Sequence, residues 1–215
     1  MMPDFIPAKT RRGTMNPTLR GWSRAGIVCL MLILAGCSSK KPRTSYDAHA
    51  FDDAIEDAAD KYDVDQKLIA AMIKVESGFN PAAISRSNAI GLMQLKADTA
   101  GCDAYRYKGK RGCPDEDDLL DPDTNIDLGA AYIATLQKQQ LKGIEDPVTM
   151  RYATIIAYVN GTGALLRTFS SNRQQAISMI NNLSPEAFNW HVRKYHPSSQ
   201  APRHLMKVEA AYEQL

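Results

Sequence analysis

Glu76 stands where a carboxyl can keep its proton at neutral pH. It closes the apolar run Leu68, Ile69, Met72, Ile73 and Val75. At about 100° per residue, Ile69, Met72, Ile73 and Glu76 project from nearly the same side of a helix. Asp65 is the expected N-cap. The helix must stop after Glu76, because Gly78 and Pro81 follow and Pro81 disfavours helix at Asn80. Apolar neighbours and the negative end of the helix dipole both disfavour the charged form of such an acid. A carboxyl held that way can protonate a leaving oxygen as a general acid. Periodicity alone leaves a second reading open: a glutamate curling into solvent from a frayed helix end, since Glu is rarely buried.

Glu76-Ser77 opens the segment ESGFNP, and SRSNAIGLMQL follows at residues 85–95. Together these resemble the catalytic core of the lytic transglycosylases, the goose-lysozyme-like enzymes that cleave peptidoglycan. Two spaced motifs of matching polarity are more specific than one short match. The resemblance implies that Glu76 is the acid/base and that Gly91-Leu92-Met93-Gln94 lines a glycan groove, with Met93 and Gln94 as substrate-binding positions. Residues 156–167, IAYVNGTGALLR, are similar to the family's A-Y-N-A-G-x-G segment. Here the asparagine is displaced by one place to Asn160, with Val159 in its usual slot. The longer form, running on through R-T-F-S-S, points to the membrane-bound endo-type branch. By this resemblance Tyr158 bonds Glu76 or the sugar ring, Asn160 bonds an N-acetyl group, and Ser85 and Ser87 face the cleaved bond. In QAPRHLMKVE the branch carries a tyrosine that closes over the site, where this chain has His204. His204 is either a working substitute that keeps a hydrogen bond to Glu76 and joins the substrate-binding positions, with a charge that titrates near neutrality, or a surface histidine. Residue types alone also allow a core tyrosine, solvated serines, and glycines that admit a neighbouring helix.

The implied reaction needs one carboxyl where an ordinary glycosidase uses two. Glu76 protonates the oxygen between N-acetylmuramic acid and N-acetylglucosamine, with the muramoyl acetamido group assisting. The carboxylate then accepts the proton of the same sugar's 6-hydroxyl, and a 1,6-anhydro ring closes with the advantage of an intramolecular nucleophile. None of the motifs supplies a second acid. Two other functions stay open at this stage. A goose-type hydrolase would use Asp98, Asp103 or an acid among residues 115–118 to position a water. A lipoprotein could also bind glycan without cutting it. No cofactor is implied, and His49, His191 and His196 lack the spacing of a metal site.

The chain has 215 residues, suited to a leader and one medium domain. Arg20 and Arg24 precede the apolar run Ala25–Ala35, which is short for a bilayer span and reads as a signal peptide over residues 1–36. Leu34-Ala35-Gly36-Cys37 resembles the lipobox of bacterial lipoproteins, which implies acylation of Cys37 and anchoring without a transmembrane helix. Ser38 after it resembles an outer-membrane sorting signal, for a domain facing the periplasm. Residues 37–50 read as a polar tether. Losing residues 1–36 removes five basic side chains (Lys9, Arg11, Arg12, Arg20, Arg24) and one acidic (Asp4), and the net charge of +2 becomes −2. A partner carrying nucleic acid is therefore not expected; glycan strands and a membrane are. Cys102 and Cys113 lie in a Gly- and Lys/Arg-rich loop and would pair in an oxidising compartment; free thiols are the alternative, and two cysteines without a nearby His are too few for zinc.

The elements that must position these residues read as helices, an all-α, lysozyme-like (goose-type) domain over residues 51–215. Phe51, Ile55, Ala58 and Tyr62 repeat at helical spacing. Asp123, Thr124 and Asn125 offer caps for a helix to about Gln140, with Ile126, Gly129, Ala130, Ile133 and Leu136 inward and the two small residues admitting close helix packing. Further helices are expected from Pro147, from Asn172, from Ser184-Pro185 and from Pro202.

Overall fold

A computed structural model describes residues 46–215. The leader, the lipobox with Cys37 and the tether up to residue 45 lie outside the described residues. A 3₁₀ turn at Ala48–Phe51 leads into α1 (Asp52–Tyr62) and α2 (Gln66–Glu76). Then come α3 (Cys102–Tyr107), α4 (Glu116–Leu120), α5 (Pro122–Thr135), α6 (Pro147–Asn160) and α7 (Thr162–Leu166). The series ends with α8 (Arg173–Asn181), α9 (Pro185–Tyr195) and α10 (Gln200–Tyr212). Among the described residues β structure is limited to isolated antiparallel bridges, Ile84 with Ile90 and Ile90 with Leu95.

The caps explain most of the starts. Asp65 accepts from the Lys67 N–H at the head of α2. Asp146, Asn172 and Ser184 cap α6, α8 and α9 in the same way, with Pro147 and Pro185 in the first turns. Two starts differ from expectation. α5 opens at Pro122, capped by Asp121, whose side chain accepts from Thr124 N, so Asn125 is inside the helix and not at its cap. α10 begins at Gln200, ahead of Pro202, because proline is tolerated in a first turn where no N–H partner is needed.

α5 is the buried axis. Ile126, Leu128, Ala130, Ala131, Ile133 and Ala134 are all fully buried on it, and α1, α3 and α4 pack against it. α10 lies across α2 and α6. On α2, Ile69, Met72 and Ile73 are buried to within 1%, each contributing about 1.5–3 kcal/mol of apolar burial. That packing fixes the direction of the last turn of α2, and with it Glu76. Cys102 and Cys113 form a disulfide. It ties down the start of α3 beside Gly101, where a Cβ would lie 2.6 Å from the Pro114 ring.

Candidate active site

α2 ends at Glu76, and the chain leaves the helix axis through Gly78 and Phe79, both at φ +63°. Left-handed backbone at a bulky residue costs energy that its surroundings must supply. Here the Phe79 ring is buried, stacked on Phe51 with centroids 6.5 Å apart. Glu76 is left facing a cleft of about 750 Å³, its side chain 15% exposed. Burial pushes its carboxyl up to about 7, with Lys207 opposing the rise.

The floor of the cleft is the 83–95 loop. Gly91 N donates to Ala83 O at 2.8 Å, while Ile90 and Leu95 exchange two backbone bonds. Asn125 staples this loop to α5. Its Oδ1 accepts from Met93 N at 2.8 Å, and its Nδ2 donates to Ile90 O and Leu119 O at 3.0 and 2.8 Å. Gly91 is required twice over: its φ is +78°, and a Cβ would lie 2.2 Å from Asn125 Nδ2. Gln94, also left-handed at φ +49°, lines the cleft while its Nε2 donates to Ala83 O and Gly91 O. On the rim, Ser85 and Ser87 line the cleft with their hydroxyls 3.1 Å apart, and Ser85 Oγ accepts from Ala89 N.

Three of the expected side chains are engaged elsewhere or face away from the cleft. Met93 does not offer its side chain to the cleft; it is fully buried, seated where a Cβ on Gly129 would lie 2.0 Å from its sulfur. Gly129 of α5 thus admits a methionine from the floor. Tyr158 lines the cleft, but its hydroxyl donates to Met93 O at 2.7 Å and not to Glu76. Burial and the nearby Glu76 raise its pKa well above that of a free phenol. Asn160 is not among the lining residues, although Val159 and Gly161 on either side are. The one-place displacement puts Val159 in the cleft-facing slot and leaves Asn160 Oδ1 buried without a partner.

His204 comes in from α10, its Nε2 3.3 Å from Glu76 Oε1. Residue patterns did not single out Tyr132, which lines the cleft with its ring 5.2 Å from that of Tyr158, and offered Asn125 only as a helix cap. The signal was present: Asn125, Gly129 and Tyr132 stand at i, i+4 and i+7, one polar, one minimal and one aromatic residue on a single helix face.

Residues 53–181 match the family model described as the transglycosylase SLT domain. The chain is 48% identical over 194 residues to an endo-type membrane-bound lytic murein transglycosylase A of Cronobacter sakazakii, covering 86% of this chain and 96% of that one. It is 47% identical over 196 residues to the protein of that name from Klebsiella pneumoniae subsp. pneumoniae, covering 87% and 97%. The chain belongs to the lytic transglycosylases. Its fold is also that of two solved structures. One is the lytic transglycosylase Slt of Pseudomonas aeruginosa (TM-score 0.59, 24% identity, 75% of this chain) and the other the 70 kDa soluble lytic transglycosylase of Escherichia coli (0.57, 23%, 76%). This transglycosylase spans about a quarter of those two longer chains, 24% of each.

Among the described residues, Glu76 is the only acidic side chain lining the cleft. The other carboxyls considered for positioning a water are elsewhere. Asp98 is exposed outside the lining. Asp103 pairs with Arg106 at 2.7 Å, Asp115 caps α4, and Asp118 accepts from the Tyr105 hydroxyl at 2.7 Å. The arrangement can donate and recover one proton at one place.

Proposed function

We propose that this transglycosylase is endo-acting on peptidoglycan and that Glu76 serves in turn as its acid and its base. The relatives named above are endo-type, membrane-bound murein enzymes over nearly their whole length. The observation that carries the mechanistic reading is the buried Glu76, its carboxyl pushed up to about 7 by burial and alone among the acids of the described residues in lining the cleft. In the first step the Glu76 proton passes to the oxygen linking N-acetylmuramic acid to N-acetylglucosamine, and the C1–O bond breaks with help from the muramoyl acetamido oxygen. In the second, the 6-hydroxyl of the same sugar attacks C1 and gives its proton to the Glu76 carboxylate. Glu76 is restored, no water is consumed, and the new end is 1,6-anhydro-N-acetylmuramic acid.

Ser85, Ser87 and Gln94 offer polar atoms to a glycan from the floor and rim. Tyr158 and Tyr132 offer ring surface, and Tyr158 acts further by holding the Met93 carbonyl. The chain reads as a leader over 1–36, an acylated Cys37 on a tether to residue 50, and the catalytic domain from 51 to 215, held at the outer membrane and facing the periplasm. No helix of the described residues is long and apolar enough to cross a membrane.

The test is digestion of purified sacculi followed by mass analysis. Soluble fragments with anhydro ends, lighter by one water than hydrolysed ends, are expected from the native protein. Glu76→Gln should bind sacculi and lose at least about a hundredfold in turnover. Hydrolysed ends would turn the assignment to a goose-type hydrolase, and binding without release to a glycan-binding lipoprotein.

A further inference from the structure

Two buried polar atoms confront each other in the cleft wall. Glu76 Oε1 and His204 Nε2 are 3.3 Å apart, both shielded from solvent, and neither has a hydrogen-bond partner, the pair being within reach of each other but not aligned as a bond. Each orphaned polar group is costly in the interior, and one shared hydrogen relieves both. Resting on the reading of Glu76 given above, we infer that His204 is the positioning residue for Glu76: its Nε2–H donates to Oε1, confines the acid proton to Oε2, and holds the carboxylate between the two proton transfers.

The geometry assigns the two oxygens different duties. Oε1 is the buried one, directed at α10; Oε2 is left to reach the cleft that Glu76 lines. An oxygen accepting from Nε2–H cannot also carry the acid proton toward it, so that proton sits on Oε2, where a glycosidic oxygen arrives. As it leaves, charge develops on the carboxylate and the N–H···O contact becomes charge-assisted, shorter and stronger. An interaction that strengthens as the reaction proceeds lowers the barrier, where uniform binding would not. Contacts of this kind are often long before substrate binds and tighten afterwards.

The role requires a neutral imidazole, and the surroundings supply one. Burial and the Lys207 ammonium one turn along α10 lower the His204 pKa to about 4. The other groups facing the pair give no reason to charge it. Tyr158 from α6 has its hydroxyl on Met93 O, Tyr132 from α5 stands behind it, and Lys96 from the floor loop adds a second positive charge to the cleft lining. A neutral imidazole with Nε2–H also needs no change of tautomer during the cycle.

The experiment measures kcat, KM and the pH profile on soluble glycan strands for His204→Phe, His204→Gln and Glu76→Gln. His204→Phe should lose about ten- to hundredfold in kcat, the range for a hydrogen bond to a charged group, with KM changed by less than about twofold. Its carboxylate has lost a donor, so the Glu76 pKa rises and the high-pH fall in activity moves to higher pH. His204→Gln, which keeps an N–H, should recover most of kcat and return the fall toward its native position. His204→Ala with free imidazole added provides the same readout should the phenylalanine variant fail to fold. A His204→Phe profile that does not move, a loss confined to KM, or no recovery with either donor would overturn the inference. Glu76→Gln run alongside separates the two readings: if it is active, the reading of Glu76 falls. If it is inactive while His204→Phe turns over normally, only the assignment of His204 falls.

Discussion

Replacing Asn125 by alanine is expected to damage this protein more than replacing any residue that faces the cleft. The side chain is fully buried and makes three hydrogen bonds to backbone: from Met93 N, to Ile90 O and to Leu119 O. Alanine takes this partner from Met93 N and Leu119 O in the interior, and leaves Ile90 O with Leu95 N alone. At about 1–2 kcal/mol for each of the two groups so orphaned and about 1 kcal/mol for the third bond, the loss is about 3–5 kcal/mol. For a folded region of this size that corresponds to a melting temperature lower by about 6–20 °C. Asn125→Asp sharpens the test. Its carboxyl can still accept from Met93 N, but its second oxygen then meets the two carbonyls that Nδ2 served. Only the protonated acid can donate to one of them, so its folded-state pKa is raised above the unfolded value. The stability that the proton confers is complete below the unfolded pKa and is lost as pH rises through the folded one. The deficit of Asn125→Asp against the native protein should therefore narrow between pH 7 and pH 4, while that of Asn125→Ala should not. Thermal melts of the three proteins at the two pH values decide it. An Asn125→Ala protein melting within about 2 °C of the native one would refute the reasoning.

Two further expectations concern stability. The Glu76 carboxyl, raised from 4.5 to about 7, favours the folded state fully below pH 4.5, and that contribution is lost as pH rises through 7; Glu76→Gln should accordingly gain on the native protein by a few kcal/mol between pH 4 and pH 9, and melts showing a constant difference would remove burial as the cause. Reducing the Cys102–Cys113 bond, which closes a loop of sequence separation 11, should lower stability by up to about 3 kcal/mol, read as the shift in urea midpoint with and without reductant.

The sequence disclosed the helices through their caps and prolines, and it disclosed Glu76 because a charged residue in an apolar stripe breaks the 3.6-residue pattern. It could not disclose which atoms the neighbours would spend on one another. Tyr158 faces the cleft as expected, but its hydroxyl goes to a carbonyl from residue 93, a pairing 65 residues apart that no local pattern encodes. Met93 has the polarity of a groove residue and is withdrawn by a seat on Gly129, which lies on another helix. Asn125 looked like a cap because asparagine favours helix starts. Asp121 with Pro122 took that place four residues earlier in the chain, and the amide was carried inside. The register slip at Val159-Asn160 was visible in the residues, but its outcome depended on which face of α6 the cleft would occupy.

Met93 is gripped on all sides: its N–H by Asn125, its side chain by Gly129, its carbonyl by Tyr158. The cleft floor is thus anchored from beneath by Asn125 and Gly129 and from the cleft side by Tyr158. Ser85 and Ser87, in contrast, are held on an outer edge by bonds within their own short turn. Substitutions at that edge can alter which glycans are accepted without loosening the foundation, so substrate range and foldedness are free to drift apart in descendants of this chain.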